Sequence, residues 1–234
     1  MRISTKIISA AAAAALIAGG ALAAAPAQAA AEKVSGDTVI TVPLALIQAA
    51  GAAGVAISAI EPAEANATMD SVGVVFPVVG PPMDGMVMHT GGLSLASSVT
   101  KITLTWEDPT IEYATGGPGA GTTAQIKGEI GGIPAGSGFE QLNGSRAAVF
   151  DVSNMKIVDK KGKIVKDGKK GFKRTWTQTI TGDVTVVNSP QVVMILNGLL
   201  VGPGKTLFTA GQPFGELDTT WSVTRTCKTK KACA

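Results

Sequence analysis

Apolar residues in this chain recur mostly at every second position. The clearest case is 101–107, where Ile102, Leu104 and Trp106 fall on one face and Thr103 and Thr105 on the other. Similar runs predict strands at 37–42, 55–60, 72–79, 83–90, 93–96, 122–130, 146–152 and 214–226. The run 175–187 reads as one long strand, or as two joined at Gly182-Asp183. Gly91-Gly92 marks a turn, 61–70 a polar loop and 116–121 a glycine-rich loop. Helical spacing occurs twice. Pro43 opens a short helix through Ala50, with Gly51 or Gly54 to end it. Ser189 and Pro190 open another, which runs to Leu200.

These two helical units echo each other. Gly36-Asp37 leads a strand into Pro43, and Gly182-Asp183 leads one into Pro190. A glycine (Gly51, Gly198) follows each proline eight positions later. Either two ordinary strand–helix units coincide, or both helices cover the same end of one sheet structure.

Composition supports a sheet protein with many turns: Gly is abundant, at 29 residues, and aromatics make up only 4%. The first 31 residues read as a secretory signal peptide. Arg2 and Lys6 precede an apolar stretch, and Ala27-Gln28-Ala29 supplies the small-x-small cleavage pattern. A retained anchor is the competing reading, but the apolar core is short for a membrane span. The remainder is expected to be one domain from 32 to 226 with a short tail at 227–234. Cys227 and Cys233 would close that tail with a disulfide, as expected in an oxidising compartment. So small a loop contributes little chain entropy. The net charge of +3 gives no reason to expect a nucleic-acid partner.

Three local clusters bear on function. Residues 156–174 hold nine Lys and Arg against Asp159 and Asp167, with turn signals at Gly162 and Asp167-Gly168. This predicts an exposed basic hairpin: a solvated edge that resists sheet-to-sheet pairing, or a surface on which Lys160, Lys161, Lys169 and Lys170 dock an anionic envelope polymer. Met83, Met86, Met88 and His89 offer ligands suited to cuprous copper, or core filling by methionine. In a strand, Met86 and Met88 share one face and His89 takes the other. Gly202-Pro203-Gly204-Lys205-Thr206 has the ending of a phosphate-binding loop without its first glycine, and reads as a turn. With one His, one Tyr and no nucleophile or metalloprotease pattern, the chain is expected to be non-catalytic.

A set of motifs resembles the actinobacterial HtaA-type domain. They are His89-Thr90-Gly91-Gly92-Leu93-Ser94-Leu95, Trp106-Glu107-Asp108-Pro109-Thr110-Ile111, Thr122 to Ile126, and Leu207 to Phe214. The resemblance implies a cell-envelope β-sandwich associated with haem uptake, with His89 at the position of a histidine that supports a ligating tyrosine. Two departures are visible. Residues 32–60 contain no aromatic where the family carries that tyrosine, and the closing motif has Phe208 alone. The sole tyrosine, Tyr113, follows the Asp-Pro segment.

The combined expectation is an all-β, antiparallel β-sandwich with two short helices, secreted and non-catalytic, binding haem or another small apolar ligand. His89, Tyr113, Met86 and Met88 are its candidate ligand residues. The rival expectation is a structural or adhesive envelope protein that works through the basic hairpin.

Overall fold

The computed structural model describes residues 32–80, 85–114, 121–168 and 171–234. Residues 1–31, where a leader is expected, Met83, most of the 116–121 loop, Lys169 and Lys170 lie outside the described residues. The strands are β1 (Glu32–Pro43), β2 (Val55–Ile60), β3 (Glu64–Ala67), β4 (Ser71–Pro77), β5 (Met86–Met88) and β6 (Gly92–Ser97). They continue with β7 (Thr103–Tyr113), β8 (Ala124–Gly131), β9 (Arg146–Lys161), β10 (Val165–Lys166), β11 (Phe172–Val186) and β12 (Pro213–Cys227). Helix α1 (Leu44–Ala52) follows β1, and α2 (Pro190–Leu200) follows β11.

These strands form one antiparallel sheet in the order β2-β6-β7-β8-β9-β11-β12-β1-β4-β3, with β10 on β11 and β5 on β7. The sheet curls into a flattened, nearly closed barrel whose inner faces pack as a sandwich. Two devices bring its margins together. Near the helices, β2 and β3 lie side by side, and Gly91 is pressed against the turn between them. Farther up, β5 lies on β7, and an isolated bridge joins Val78, just past β4, to His89.

Both helices leave the barrel at one end. Thr41 of β1 and Asp183 of β11 each face Glu216 of β12, so β1 and β11 run the same way and release their helices together. The turn after β6 ties the two units: Ser97 donates to the Leu200 carbonyl at 2.5 Å, and Ser98 donates to the Gly54 carbonyl at 3.0 Å. Proline starts both helices because its missing N–H is one the first turn would leave unpaired anyway. Ser189 occupies the cap position of α2, but its side chain makes no capping bond.

The structure extends or corrects several expected elements. The polar loop at 61–70 contains β3, an edge strand whose four residues are all exposed, so no alternation marks it. The strand expected at 101–107 begins at Thr103 and continues to Tyr113 through a bulge at Asp108, where φ is 49°. Glu107 and Asp108 therefore lie within a strand and not at its end. The strand at 146–152 runs on to Lys161, and 175–187 is one strand, with a shift in its pairing to β9 at Gly182 instead of a turn. The basic stretch forms the ends of β9 and β11 plus the two-residue β10, with Asp167-Gly168 at the turn.

Trp106 organises the core. Its ring meets Phe76 and Phe150 edge-on at 6.3 and 5.4 Å, and Phe150 packs on Phe214 at 4.3 Å. Gly128 on β8 makes room for the indole: a Cβ there would lie 2.3 Å from Trp106 Nε1. Beside this cluster, toward α2, lies an apolar void of about 50 Å³, enough for little more than a solvent molecule. Gly128→Ala should therefore overpack the core and lower unfolding stability by about 2 kcal/mol. Urea denaturation at neutral pH measures this; an unchanged midpoint would contradict the packing described.

Candidate functional site

The end of the barrel opposite the helices is open. Strand register shows which side chains face its interior. Along β12, Leu217 and Thr219 are buried, and the same face continues through Trp221, Val223 and Arg225. Across on β11, Ile180, Gln178 and Trp176 oppose Thr219, Trp221 and Val223. On β9, Ile157, Asp159 and Lys161 oppose Ile180, Gln178 and Trp176. The apolar lining thus gives way in two steps to tryptophan and polar groups, then to charge. A cleft of about 410 Å³ occupies this end, lined by Trp176, Trp221, Gln178, Asp159, Lys161 and Arg225 among others.

Beneath the cleft lies a buried polar layer centred on His89. Its Nδ1–H donates to the Pro109 carbonyl at 2.9 Å, which leaves Nε2 to accept from the Thr38 hydroxyl at 2.6 Å. Thr38 accepts in turn from Thr219 at 2.8 Å. The bulge at Asp108 makes this arrangement available. It aims the Pro109 carbonyl at His89, which also donates its backbone N–H there at 3.0 Å. Arg146 supports the bulge from β9 by donating to the Asp108 carbonyl at 2.8 Å and to the Thr110 hydroxyl. His89 is 3% exposed, and burial lowers its pKa to about 4, opposed by the bond to Pro109.

Tyr113 stands above this layer on the inner face of β7. Its hydroxyl donates to Gln178 Oε1 at 3.3 Å, and Gln178 Nε2 donates to Asp159 at 2.8 Å. Trp221 has room because Gly36 faces it on β1; a Cβ at Gly36 would lie 2.8 Å from the Trp221 Cβ. The Trp221 indole N–H is shielded from solvent and has no hydrogen-bond partner among the described residues. Trp176 is held by Arg174, two residues back on the same face of β11, whose guanidinium lies 5.3 Å from the ring centroid. Arg174 also donates to the carbonyls of Gly162 and Ala234, at 3.0 and 2.6 Å. The Cys227–Cys233 disulfide folds the tail back to reach it, with both sulfur-bearing residues buried.

The structure therefore separates some of the expected site residues and unites others. His89 and Tyr113 share the inner face, whereas Met86 and Met88 point the other way, flanking the buried Val87. Lys160 and Lys161, read from sequence as a polymer-docking surface, form the lip of the same cleft that Tyr113 overlooks. Among the described residues no cluster of three or more His, Cys, Asp or Glu could hold a metal ion. Sequence reasoning missed Trp176, Trp221 and Gln178. The alternation within 175–187 and 214–226 could have placed them on one face, but not opposite one another.

This is an antiparallel barrel with one capped end and one recessed, aromatic-walled end, an architecture suited to receiving a ligand. Its fold is similar to that of a solved haem-binding protein, HtaB from Corynebacterium glutamicum. The two share a TM-score of 0.50 at 11% identity, over 83% of this chain and 98% of that one. The C-terminal domain of HtaA from the same organism gives a TM-score of 0.42 at 6% identity, over 82% and 99%. No protein-family model matches the chain, and no curated protein matches it.

Two outcomes follow. Because the folded-state pKa of His89 is lowered, its stabilising contribution is full above pH 6.5 and declines as pH falls towards 4. The loss should approach about 3 kcal/mol. Urea melts from pH 7.5 to 4.5 should show it, and His89→Gln should flatten that part of the profile; parallel profiles would remove His89 as the cause. Replacing both cysteines with serine should cost no more than about 2 kcal/mol, given the short loop, measured by denaturation with and without reductant.

Proposed function

We propose that this chain is an exported, non-catalytic binding module of the cell envelope. Its ligand is a small, flat, apolar molecule held in the open-end cleft, with haem as the first candidate. The observation that carries this reading is the cleft itself: two tryptophans line an opening large enough for a small-molecule ligand, and Tyr113 reaches the lining residue Gln178. The shared fold with a haem-binding protein supports haem as the first molecule to try. In this reading Tyr113, Trp176 and Trp221 form the walls, and the His89 layer is a rigid floor that fixes their spacing. Met86 and Met88 stand outside the site.

A second reading draws on one observation: Lys156, Lys160, Lys161, Lys163, Lys166 and Lys173 are all exposed, and Lys160 and Lys161 line the cleft. These lysines, with Lys169 and Lys170 of the same basic run in the sequence, would hold an anionic envelope polymer. Neutralising Lys160, Lys161, Lys169 and Lys170 should then release the protein from cell walls and remove the salt sensitivity of retention.

A haemin titration of the chain without its leader tests the first reading. Saturable binding, with a sharpened Soret band and quenched tryptophan fluorescence, is the expected result. A flat titration would end the haem reading and leave the polymer reading to be tested by retention.

A further inference from the structure

Resting on the proposal that the cleft binds a flat apolar ligand, we infer that it recognises a planar aromatic ring system and its carboxylates, and does not hold the ligand through a metal. Among the described residues, the candidate iron ligands His89, Tyr113, Met86 and Met88 are committed elsewhere. Both ring nitrogens of His89 are bonded within the wall, one to Pro109 and one to Thr38. The Tyr113 hydroxyl is bonded to Gln178, which is itself held by Asp159. Met86 and Met88 lie on the opposite face of β5 from the interior. An axial bond to iron would have to break the His89 layer, which joins β5 to β1, β7 and β12, or dismantle the Tyr113–Gln178–Asp159 chain.

The rest of the cleft suits the organic part of such a ligand. Trp176 and Trp221 sit on adjacent strands, one step apart along the inner face, where large rings reach each other diagonally. They offer apolar faces to a planar ring, and stacked aromatic rings gain more than their buried area alone. Lys161 and Arg225 stand at the mouth, where a carboxylate on the ring's edge would meet them. Asp159, the acidic group in the lining, is exposed and accepts the Gln178 amide through one carboxylate oxygen. The site thus fits a polycyclic or macrocyclic aromatic acid, and the metal at its centre is dispensable.

The test compares haemin with metal-free protoporphyrin IX on the intact chain, by tryptophan quenching and by porphyrin absorbance. The inference expects dissociation constants within about threefold of each other, since neither loses a coordinate bond. The dimethyl ester of protoporphyrin should bind about tenfold more weakly, and added salt should weaken the free acids but not the ester. Trp221→Leu, which keeps an apolar side chain, should weaken both porphyrins by about tenfold. The double variant Lys161→Ser with Arg225→Ser, at two exposed positions, should weaken both by about fivefold and remove most of the salt dependence. Unfolding midpoints confirm that each variant folds.

Tight haemin binding with metal-free porphyrin more than tenfold weaker would overturn the inference and leave the haem reading standing. Failure of both ligands would overturn both. Equal binding that ignores the Trp221 and Lys161/Arg225 variants would move the ligand elsewhere and also overturn the inference.

Discussion

The buried bond between His89 and the Pro109 carbonyl is the point at which this sheet becomes a barrel. His89 is bridged through its backbone to Val78, beyond the end of β4, and through backbone and ring to β7. Its other nitrogen reaches Thr38 on β1, which is bonded to Thr219 on β12. Four strands remote in sequence thus meet in one satisfied polar layer. A buried polar group without partners would cost about 1–3 kcal/mol, so the layer tolerates no other register. A neutral imidazole is required, because it must accept at one nitrogen while donating at the other. Burial ensures this by lowering the pKa.

Above and below that layer the barrel is built differently. Toward the helices the interior is filled: Trp106, Phe76, Phe150 and Phe214 interlock, and α1 and α2 cover the end. Away from them, the same inward-facing positions on β9, β11 and β12 carry Asp159, Lys161, Gln178, Trp176, Trp221 and Arg225. One continuous set of strands therefore supplies both a packed core and an open cleft, and the strand period of two carries each face from one into the other. Because β9, β11 and β12 run on past the polar layer, their extra length forms the cleft walls. The disulfide-closed tail and Arg174 brace the outer edge of those walls.

The cleft also unites two ideas that look opposed in the sequence. Sole tyrosine and basic run read there as evidence for different functions, an apolar pocket and a charged surface. In three dimensions Lys160 and Lys161 end the strand whose inner face carries Asp159, and Gln178 joins that residue to Tyr113. On the reading proposed above, an aromatic recess with a cationic lip would suit one kind of molecule, a ring that bears acid groups.

By itself the sequence determined the local elements with strong periodicity. The alternation of Ile102, Leu104 and Trp106, the Pro-initiated helices and the strand at 55–60 all follow from side-chain pattern and backbone chemistry within a few residues. It also carried both halves of the central joint, His89-Thr90-Gly91-Gly92 and Trp106 to Ile111, as motifs of the resemblance to the HtaA-type domain and not as a bonded pair. Only the tertiary structure decided that these halves bond to each other, because the bulge that turns Pro109 toward His89 is set by pairing with β8 and support from Arg146. Edge strand β3, exposed throughout, left no periodic trace. The opposition of Trp176, Gln178 and Trp221 depends on the register of β11 against β12, a long-range pairing that alternation along either strand alone does not specify.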